Sequence, residues 1–234
     1  MAAALPAQSV RWHVFPDDTS LCANALARVL AAAHDAIAQH AAFDIVLAGG
    51  NTPRKLYRAL RSADADWARW HVWYGDERCL PADDPERNSK MARSEWLDHV
   101  AIPAANMHPI PAEAGAREAA MLYARELRAI DAFDMVLLGI GEDGHTASLF
   151  PGHDWGAYPD SPSMLAVFDA PKPPPERVSL SAQRLSNARQ VLYLIEGAGK
   201  RNAVAAWKRG DAIPAASIDP ENGVDVLLDV AAAA

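Results

Sequence analysis

Short apolar runs alternate along the chain with longer segments of helical periodicity. Near-continuous aliphatic runs bounded by glycine or polar residues are typical of strands covered on both faces. Because helical segments separate most of these runs, the pattern predicts βαβ units and a mainly parallel sheet. The predicted strands are Val10–Phe15, Asp44–Ala48, His71–Tyr74, Met107–Ile110, Asp134–Leu138, Leu165–Phe168, Arg177–Ser181, Gln190–Ile195 and Val226–Leu228. The predicted helices are Thr19–Gln39, Pro53–Ser62, Asn88–His99, Ala114–Ile130, Thr146–Phe150 and Gly199–Lys208.

The length of 234 residues and the hydrophobic fraction of one half are enough for a single α/β domain with a sizeable core, which we assign to residues 1–234. The segment 151–175 is the main irregular region and holds seven prolines. It is interpreted either as a surface connection stiffened by proline, or as a wall or lid over a site. The second interpretation arises because the segment starts beside His145 and ends at Arg177.

The net charge of −8 and the pI of about 5.4 disfavour a general attraction to nucleic acid or to anionic membranes. A local basic pocket for a small phosphate remains compatible with this balance. Cys22 and Cys79 provide neither a disulfide framework nor a C-x-x-C pair. With no secretory signal and no uninterrupted apolar run of about 18 residues, we expect a cytoplasmic protein without a membrane partner, either monomeric or a small homo-oligomer.

The most informative stretch runs from Gly139 to Gly152 and follows a buried-strand pattern that ends at Leu138. Its glycines predict a tight turn, and Thr146 is the predicted first residue of a helix. His145 would then lie among backbone N–H groups at the positive end of a helix dipole. That position favours an anionic ligand and a neutral imidazole, the form that a general base needs. A purely structural histidine is the alternative.

The spacing Gly139-x-Gly141-x-x-Gly144 also matches the fingerprint of dinucleotide-binding loops. The context argues against a nicotinamide cofactor, because His145 follows the third glycine and the Pro-rich segment follows where a second strand of a βαβ unit is needed. A metal held by His145 and His153 is disfavoured as well, since no third ligand accompanies the pair. The motifs therefore favour neither a nicotinamide cofactor nor a metal.

Two other predicted strands also end in polar loops, and ligands bind at the carboxyl ends of strands in open α/β sheets. The loop Gly49-Gly50-Asn51-Thr52 is either a capped turn, with Thr52 as the N-cap, or a nest of backbone N–H groups for an oxyanion. Asp76 and Arg78 follow a different strand. Arg78 is suited to clamp a phosphate or carboxylate, and Asp76 to orient a histidine or accept a sugar hydroxyl.

Two cations, Arg177 and Lys200, lie at the edges of further predicted strands. Each alone is typical of a protein surface, but together with Arg78 they would form a local phosphate site in an acidic protein. Ser148 lies close to His145 in sequence and is considered as a nucleophile; local packing or hydrogen bonding is the favoured interpretation.

In this order, the motifs resemble the 6-phosphogluconolactonase family of the pentose phosphate pathway. The resemblance extends from about residue 10 to 228 and is most specific at Asp143–Gly152. The motifs that carry it are Leu47–Pro53, Gly75–Arg78, Gly139–Gly152, Pro175–Ser179 and Gly197–Lys200. It implies a Rossmann-like three-layer α/β/α fold with a smaller α+β element, and hydrolysis of 6-phospho-D-glucono-1,5-lactone without a cofactor.

The resemblance also implies roles for single residues. His145 would be the general base, with Asp76, Arg78 and Lys200 in the site. Phosphate contacts would come from Arg177, Arg78, Lys200, Gly144 and the loop Gly49, Gly50, Asn51, Thr52. Two alternatives remain on the same fold. One is a glucosamine-6-phosphate deaminase or sugar-phosphate isomerase, which Arg78 and the run 148–151 disfavour; the other is a non-catalytic sugar-phosphate-binding protein.

Overall fold

The computed structural model describes residues 8–234, so residues 1–7 lie outside the described part. The strands are β1 (Val10–Phe15), β2 (Phe43–Leu47), β3 (Trp70–Tyr74), β4 (Asp76–Arg78), β5 (Phe133–Leu138), β6 (Met164–Val167), β7 (Arg177–Leu180), β8 (Ala188–Ile195) and β9 (Val224–Asp229). The α-helices are α1 (Asp18–His40), α2 (Asn51–Leu60), α3 (Asn88–Glu95), α4 (Ala116–Glu126), α5 (Ala182–Ser186), α6 (Arg201–Arg209) and α7 (Val230–Ala233). Short 3-10 turns lie at Trp67–Arg69, Leu97–His99, Ala104–Asn106, Ala112–Ala114, Leu127–Ala129, Ala198–Lys200 and Pro214–Ser217.

The main sheet has six strands in the order β1-β9-β8-β5-β2-β3. All of its pairings are parallel. The central strand β5 is buried at every position, and this explains its almost unbroken apolar sequence. The predicted α/β fold with a mainly parallel sheet and flanking helices is confirmed.

A second sheet of three antiparallel strands, in the order β4-β7-β6, is the smaller element. Gly75 is the junction between the two sheets. Its N–H donates to the carbonyl of Leu47 in β2 at 3.0 Å, and its carbonyl accepts from the N–H of Leu180 in β7 at 2.7 Å. The chain therefore leaves the main sheet at a strand's carboxyl end and delivers Asp76 and Arg78 directly onto the second sheet.

The longest helix, α1, lies against the main sheet. The carboxylate of Asp17 caps it by accepting the N–H of Ser20 at 2.8 Å. Among residues 8–234, α1 is the helix whose length and mean hydropathy of 1.2 would suffice to cross a membrane. Its apolar side contacts β5 and β9, which is the arrangement of a core helix. The residues buried on that side are Leu21, Ala25, Val29, Ala32, Ala33 and Ala36.

The predicted strand Met107–Ile110 is wrong. This segment makes a single parallel bridge to β3, in which Met107 pairs with Val72 and the N–H of His108 donates to the Val72 carbonyl at 2.9 Å. Pro109 and Pro111 have no N–H to donate, so the pairing cannot continue into a ladder.

The predicted helix Thr146–Phe150 is also wrong. The N–H of Leu149 bonds to the carbonyl of Thr146 in a tight turn, and Ala147 has a left-handed φ of 47°. Two contacts hold the turn from outside, since the Thr146 hydroxyl donates to the Gly139 carbonyl at 2.9 Å and Ser148 bonds to the second sheet. Pro151 further disfavours a helical conformation at the preceding residue. His145 therefore does not precede a helix, and the helix-dipole argument for its charge state fails.

Helix α2 starts two residues earlier than the predicted helix Pro53–Ser62. Gly50, with a φ of 103°, occupies the N-cap position, and Asn51 is the first helical residue. Thr52 lies inside the helix, so its predicted role as N-cap is wrong. Pro53 is the third residue of the helix. A backbone N–H in the first turn has no acceptor within the helix, so proline, which lacks the N–H, is tolerated there.

Candidate active site

A cleft of about 330 Å³ opens at the carboxyl ends of β2, β3 and β5, where the second sheet meets the main sheet. This is the usual ligand position in open α/β folds. The cleft brings together seven of the residues selected from the sequence: Gly49, Gly50, Asp76, Arg78, His145, Arg177 and Lys200. Asn51, Thr52 and Gly144 were selected as well, but they do not line it. Asn88, Lys172 and Pro173 line the cleft and were not selected.

The imidazole of His145 faces this cleft and is 18% exposed. Its Nδ1 lies 2.5 Å from Oδ1 of Asp143. Because a carboxylate can only accept in this pair, the proton belongs on Nδ1, and Nε2 keeps a free lone pair. Asp143 thus orients the ring and fixes its tautomer, the role that the sequence had suggested for Asp76.

Burial lowers the pKa of His145, and the positive charge of Lys172 acts in the same direction. The hydrogen bond and charge of Asp143 oppose this effect without cancelling it. For Asp143, burial acts to raise the pKa, but the hydrogen bond from His145 prevails and the pKa is lowered. The pair is therefore a neutral imidazole beside an ionised carboxylate, which is the arrangement of an oriented general base.

Gly141 and Gly144 lie close to His145, and each position requires glycine for a different physical reason. A Cβ on Gly141 would lie 1.9 Å from His145 Nδ1, so only glycine leaves space for the ring against the backbone. Gly144 has a φ of 85°, in the left-handed region, and a Cβ there would lie 2.9 Å from the side chain of Ile213. The structure therefore places Gly144 at the turn behind His145, away from the cleft where a phosphate contact was predicted.

Asp76 is buried, with 6% of its surface exposed, and both carboxylate oxygens are occupied. Oδ2 accepts the hydroxyl of Ser148 at 2.5 Å, and Oδ1 accepts the side-chain amide of Asn88 at 3.0 Å. The Ser148 hydroxyl is thus a buried donor to Asp76, which confirms the hydrogen-bonding interpretation of this serine. Asn88 also explains why residue 49 is a glycine, because a Cβ at that position would lie 2.1 Å from Asn88 Oδ1.

Glu77 is a buried residue that stabilises this side of the cleft. It is fully buried, and its carboxylate accepts the backbone N–H groups of Arg78, Asn88 and Ser89 at 2.8–2.9 Å. It therefore caps the N-terminus of α3 and ties that helix to β4. The guanidinium of Arg87, only 2% exposed, lies 3.4 Å from Glu77 and completes the buried pair. Nothing in the sequence distinguished Glu77 from its exposed acidic neighbours.

Four cations line the cleft: Arg78, Lys172, Arg177 and Lys200. Arg78 donates from Nη1 to the Glu86 carbonyl, whereas its Nε is buried without a partner among the described residues. An unpaired buried donor is costly, and a bound anion would satisfy it. Burial lowers the pKa of Lys200, with a further contribution from the charge of Lys172. The cleft is therefore a positively charged site within an acidic protein.

Arg177 lies in the cleft wall but uses most of its donors within the protein. Its Nε donates to the Pro174 carbonyl, and its Nη2 donates to the carbonyls of Lys172 and Pro173, each at 3.0 Å. Only Nη1 makes no hydrogen bond to the described residues. The end of the Pro-rich segment is thus a wall of the cleft, as one of the two interpretations of the sequence proposed. Among residues 8–234, no cluster of three or more potential metal ligands is found.

Comparison with known proteins agrees with this fold. The chain matches the protein family described as glucosamine-6-phosphate isomerases/6-phosphogluconolactonase over residues 16–227. It is 37% identical over 241 residues to the 6-phosphogluconolactonase of Mycobacterium leprae, covering 95% of this chain and 96% of that protein. It is 39% identical over 207 residues to the 6-phosphogluconolactonase of a Synechocystis species, with 83% and 85% covered.

A solved structure extends the likeness to three dimensions. The 6-phosphogluconolactonase from Trypanosoma brucei superposes with a TM-score of 0.86 at 28% identity, covering 97% of this chain and 98% of that one. The family match, the sequence identity and the superposition each span most of the chain. The chain therefore belongs to the glucosamine-6-phosphate isomerase/6-phosphogluconolactonase family.

Proposed function

We propose that the protein hydrolyses 6-phospho-D-glucono-1,5-lactone to 6-phospho-D-gluconate in the oxidative pentose phosphate pathway. The observation that carries this proposal is a neutral imidazole, oriented by Asp143, in a cleft lined by four cations. The family relationship and the activity named for the similar proteins support the same reaction. Ring opening of a lactone needs a base for water and an anchor for the phosphate, and the cleft offers both.

In the proposed mechanism, Nε2 of His145 removes a proton from a water molecule as its oxygen attacks C1 of the lactone. The electron pair of the carbonyl bond moves onto oxygen and forms a tetrahedral oxyanion. When this intermediate collapses, the bond between C1 and the ring oxygen breaks, and the imidazolium returns the proton to the departing oxygen. One water is consumed, and no covalent bond to the protein forms.

The phosphate contacts are assigned by charge and position. Arg78 contributes its unpaired buried Nε, and Lys200 contributes an ammonium that forms no ion pair within residues 8–234. Arg177 has Nη1 left for the substrate. Gly49 and Gly50 line the cleft directly before α2, so the positive end of that helix dipole is the proposed further contact for the anion, although Asn51 and Thr52 themselves do not line the cleft. Binding energy at the phosphate then orients C1 toward His145.

Proton release in a pH-stat tests this function, because hydrolysis converts the uncharged lactone group into a carboxylic acid that ionises. Wild-type protein should raise the rate of acid release well above the spontaneous rate. The same protein should release no ammonia from glucosamine 6-phosphate, the reaction of the alternative family activity. A lactone rate equal to the spontaneous one, or rapid ammonia release, would show that the proposal is wrong.

The pH dependence follows from the charge state of His145. Burial lowers its pKa below 6.5, and the base acts only when neutral, so kcat/KM should fall on acidification through a pKa below 6.5. In Asp143→Asn, the charge that opposes this shift is removed, and the acid limb should move to still lower pH. The rate at the plateau should drop roughly 100-fold or more, because the tautomer is no longer fixed.

A pH–rate profile of both proteins checks this prediction. The matched control is Asp160→Asn, which makes the same change of net charge at an exposed position. It should behave as the wild type. If Asp143→Asn retained the wild-type plateau and acid limb, Asp143 would not orient the base.

A further inference from the structure

The segment Ala170–Pro175, which we call the proline strap, is held rigidly across one side of the cleft. Its first N–H donates to its last carbonyl at 3.0 Å. The buried guanidinium of Arg177 donates to three successive carbonyls, those of residues 172–174. Proline restricts the backbone at four of the six strap positions. Arg177 therefore fixes the backbone of the strap from which the Lys172 side chain projects.

Lys172 lines the cleft, and its ammonium makes no hydrogen bond or ion pair to any of residues 8–234. Its charge acts on two neighbours, because it contributes to the lowered pKa of both His145 and Lys200. Among cations, it has the largest such effect on His145. Lys172 and His145 line the same cleft, so an exposed ammonium shares that cleft with the base.

We propose that Lys172 is a catalytic residue that stabilises the oxyanion formed at C1 when water attacks the lactone. This inference rests on the function proposed above. The oxyanion and the attacking oxygen are bonded to the same carbon, so a cation that serves the oxyanion must lie close to the base that serves the water. In the attack step, the carbonyl electron pair moves onto oxygen beside the ammonium, which keeps its own proton. When the intermediate collapses, the pair returns to re-form the carbonyl.

The arginines of the cleft have other interactions than Lys172. Arg177 spends its Nε and Nη2 on the strap carbonyls. It pairs with Arg78 in register across β4 and β7, so these two positive groups lie together. That concentration of charge suits the dianionic phosphate, which is carried on C6 outside the lactone ring. Lys200 is assigned to the phosphate above, and it is the charge of Lys172, not that of Lys200, that acts on His145. Lys172 is therefore the cation for the reacting end.

The test compares steady-state kinetics and pH profiles of wild type, Lys172→Met, Lys172→Arg and Lys208→Met. Lys208 is exposed on α6 outside the cleft, so its replacement is a control for net charge. We expect Lys172→Met to lower kcat about 10- to 100-fold with little change in KM, since an oxyanion contact is made only in the transition state. The acid limb of kcat/KM should move to higher pH, because a charge that opposes protonation of His145 is gone. Lys172→Arg should recover most of both effects.

A Lys172→Met protein with wild-type kcat, or with a raised KM alone, would overturn the assignment. So would a loss of kcat with an unmoved acid limb and no recovery in Lys172→Arg, which is the behaviour of a structural residue. The measurement on the wild type separates the test of Lys172 from the test of the proposed function. A wild type that does not accelerate hydrolysis contradicts the function itself, whereas an active wild type beside an unaffected Lys172→Met contradicts only the role of Lys172.

Discussion

Replacing His145 with alanine is expected to lower the enzymatic rate of lactone hydrolysis by about 10²–10⁴-fold, the usual contribution of a general base. The cleft would keep its cations and would still bind the phosphate, so KM should change much less than kcat. The side chain of His145 hydrogen-bonds to Asp143, which is partly exposed, and the loss of this contact should leave the fold intact. The spontaneous reactivity of the lactone sets the floor for the measured rate.

His153→Ala is the matched control for this substitution. His153 lies in the same segment and packs against Phe150, as His145 does, but it is exposed and does not line the cleft. It should retain the wild-type rate. Free imidazole added to His145→Ala should restore part of the activity in proportion to its neutral form. Full activity in His145→Ala would remove the base from the mechanism.

Replacing Glu77 with alanine is expected to lower the free energy of unfolding by roughly 3–5 kcal/mol, the usual cost of breaking a buried ion pair by removing one partner. The substitution removes the carboxylate that pairs with the buried guanidinium of Arg87. It also leaves three backbone N–H groups without their acceptor, those of Asn88 and Ser89 at the start of α3 and that of Arg78 in β4. Arg87 keeps its contact with Glu113 at 2.6 Å, so its charge is not left entirely alone. Glu77→Gln, which retains an acceptor oxygen, should lose less.

Urea denaturation of these variants beside Glu118→Ala measures the effect. Glu118 is an exposed acid on α4, and its loss should change stability by no more than about 0.5 kcal/mol. If Glu77→Ala were no less stable than this control, the buried carboxylate would not be what holds α3 against β4.

The main sheet could be predicted from the sequence because burial dictates its pattern. Strands β2, β5 and β8 run through the interior, so their sequences are nearly unbroken apolar runs. The two wrongly predicted elements have different causes, one local and one tertiary. Met107–Ile110 looks apolar but is flanked by proline, and the turn at Thr146–Phe150 depends on contacts with Gly139 and the second sheet that no local pattern records.

The cleft residues could be found where they end a strand and carry unusual chemistry, as His145, Asp76 and Arg78 do. Asp143 had a local signal that was not used, since a carboxylate two residues before a histidine in a tight turn is within reach of its Nδ1. Asn88, Glu77 and Lys172 had none. They reach the site through the packing of α3 on β4 and through the strap held by Arg177, and both are tertiary arrangements.

Following freshly prepared 6-phospho-D-glucono-1,5-lactone by NMR is the most direct test of the central claim, because each lactone isomer and the open acid give separate signals. With wild-type protein, the 1,5-lactone should disappear faster than in a protein-free sample, in proportion to protein concentration, with 6-phosphogluconate as the product. With His145→Ala, it should decay close to the spontaneous rate. Equal decay in the wild-type and protein-free samples would contradict the account.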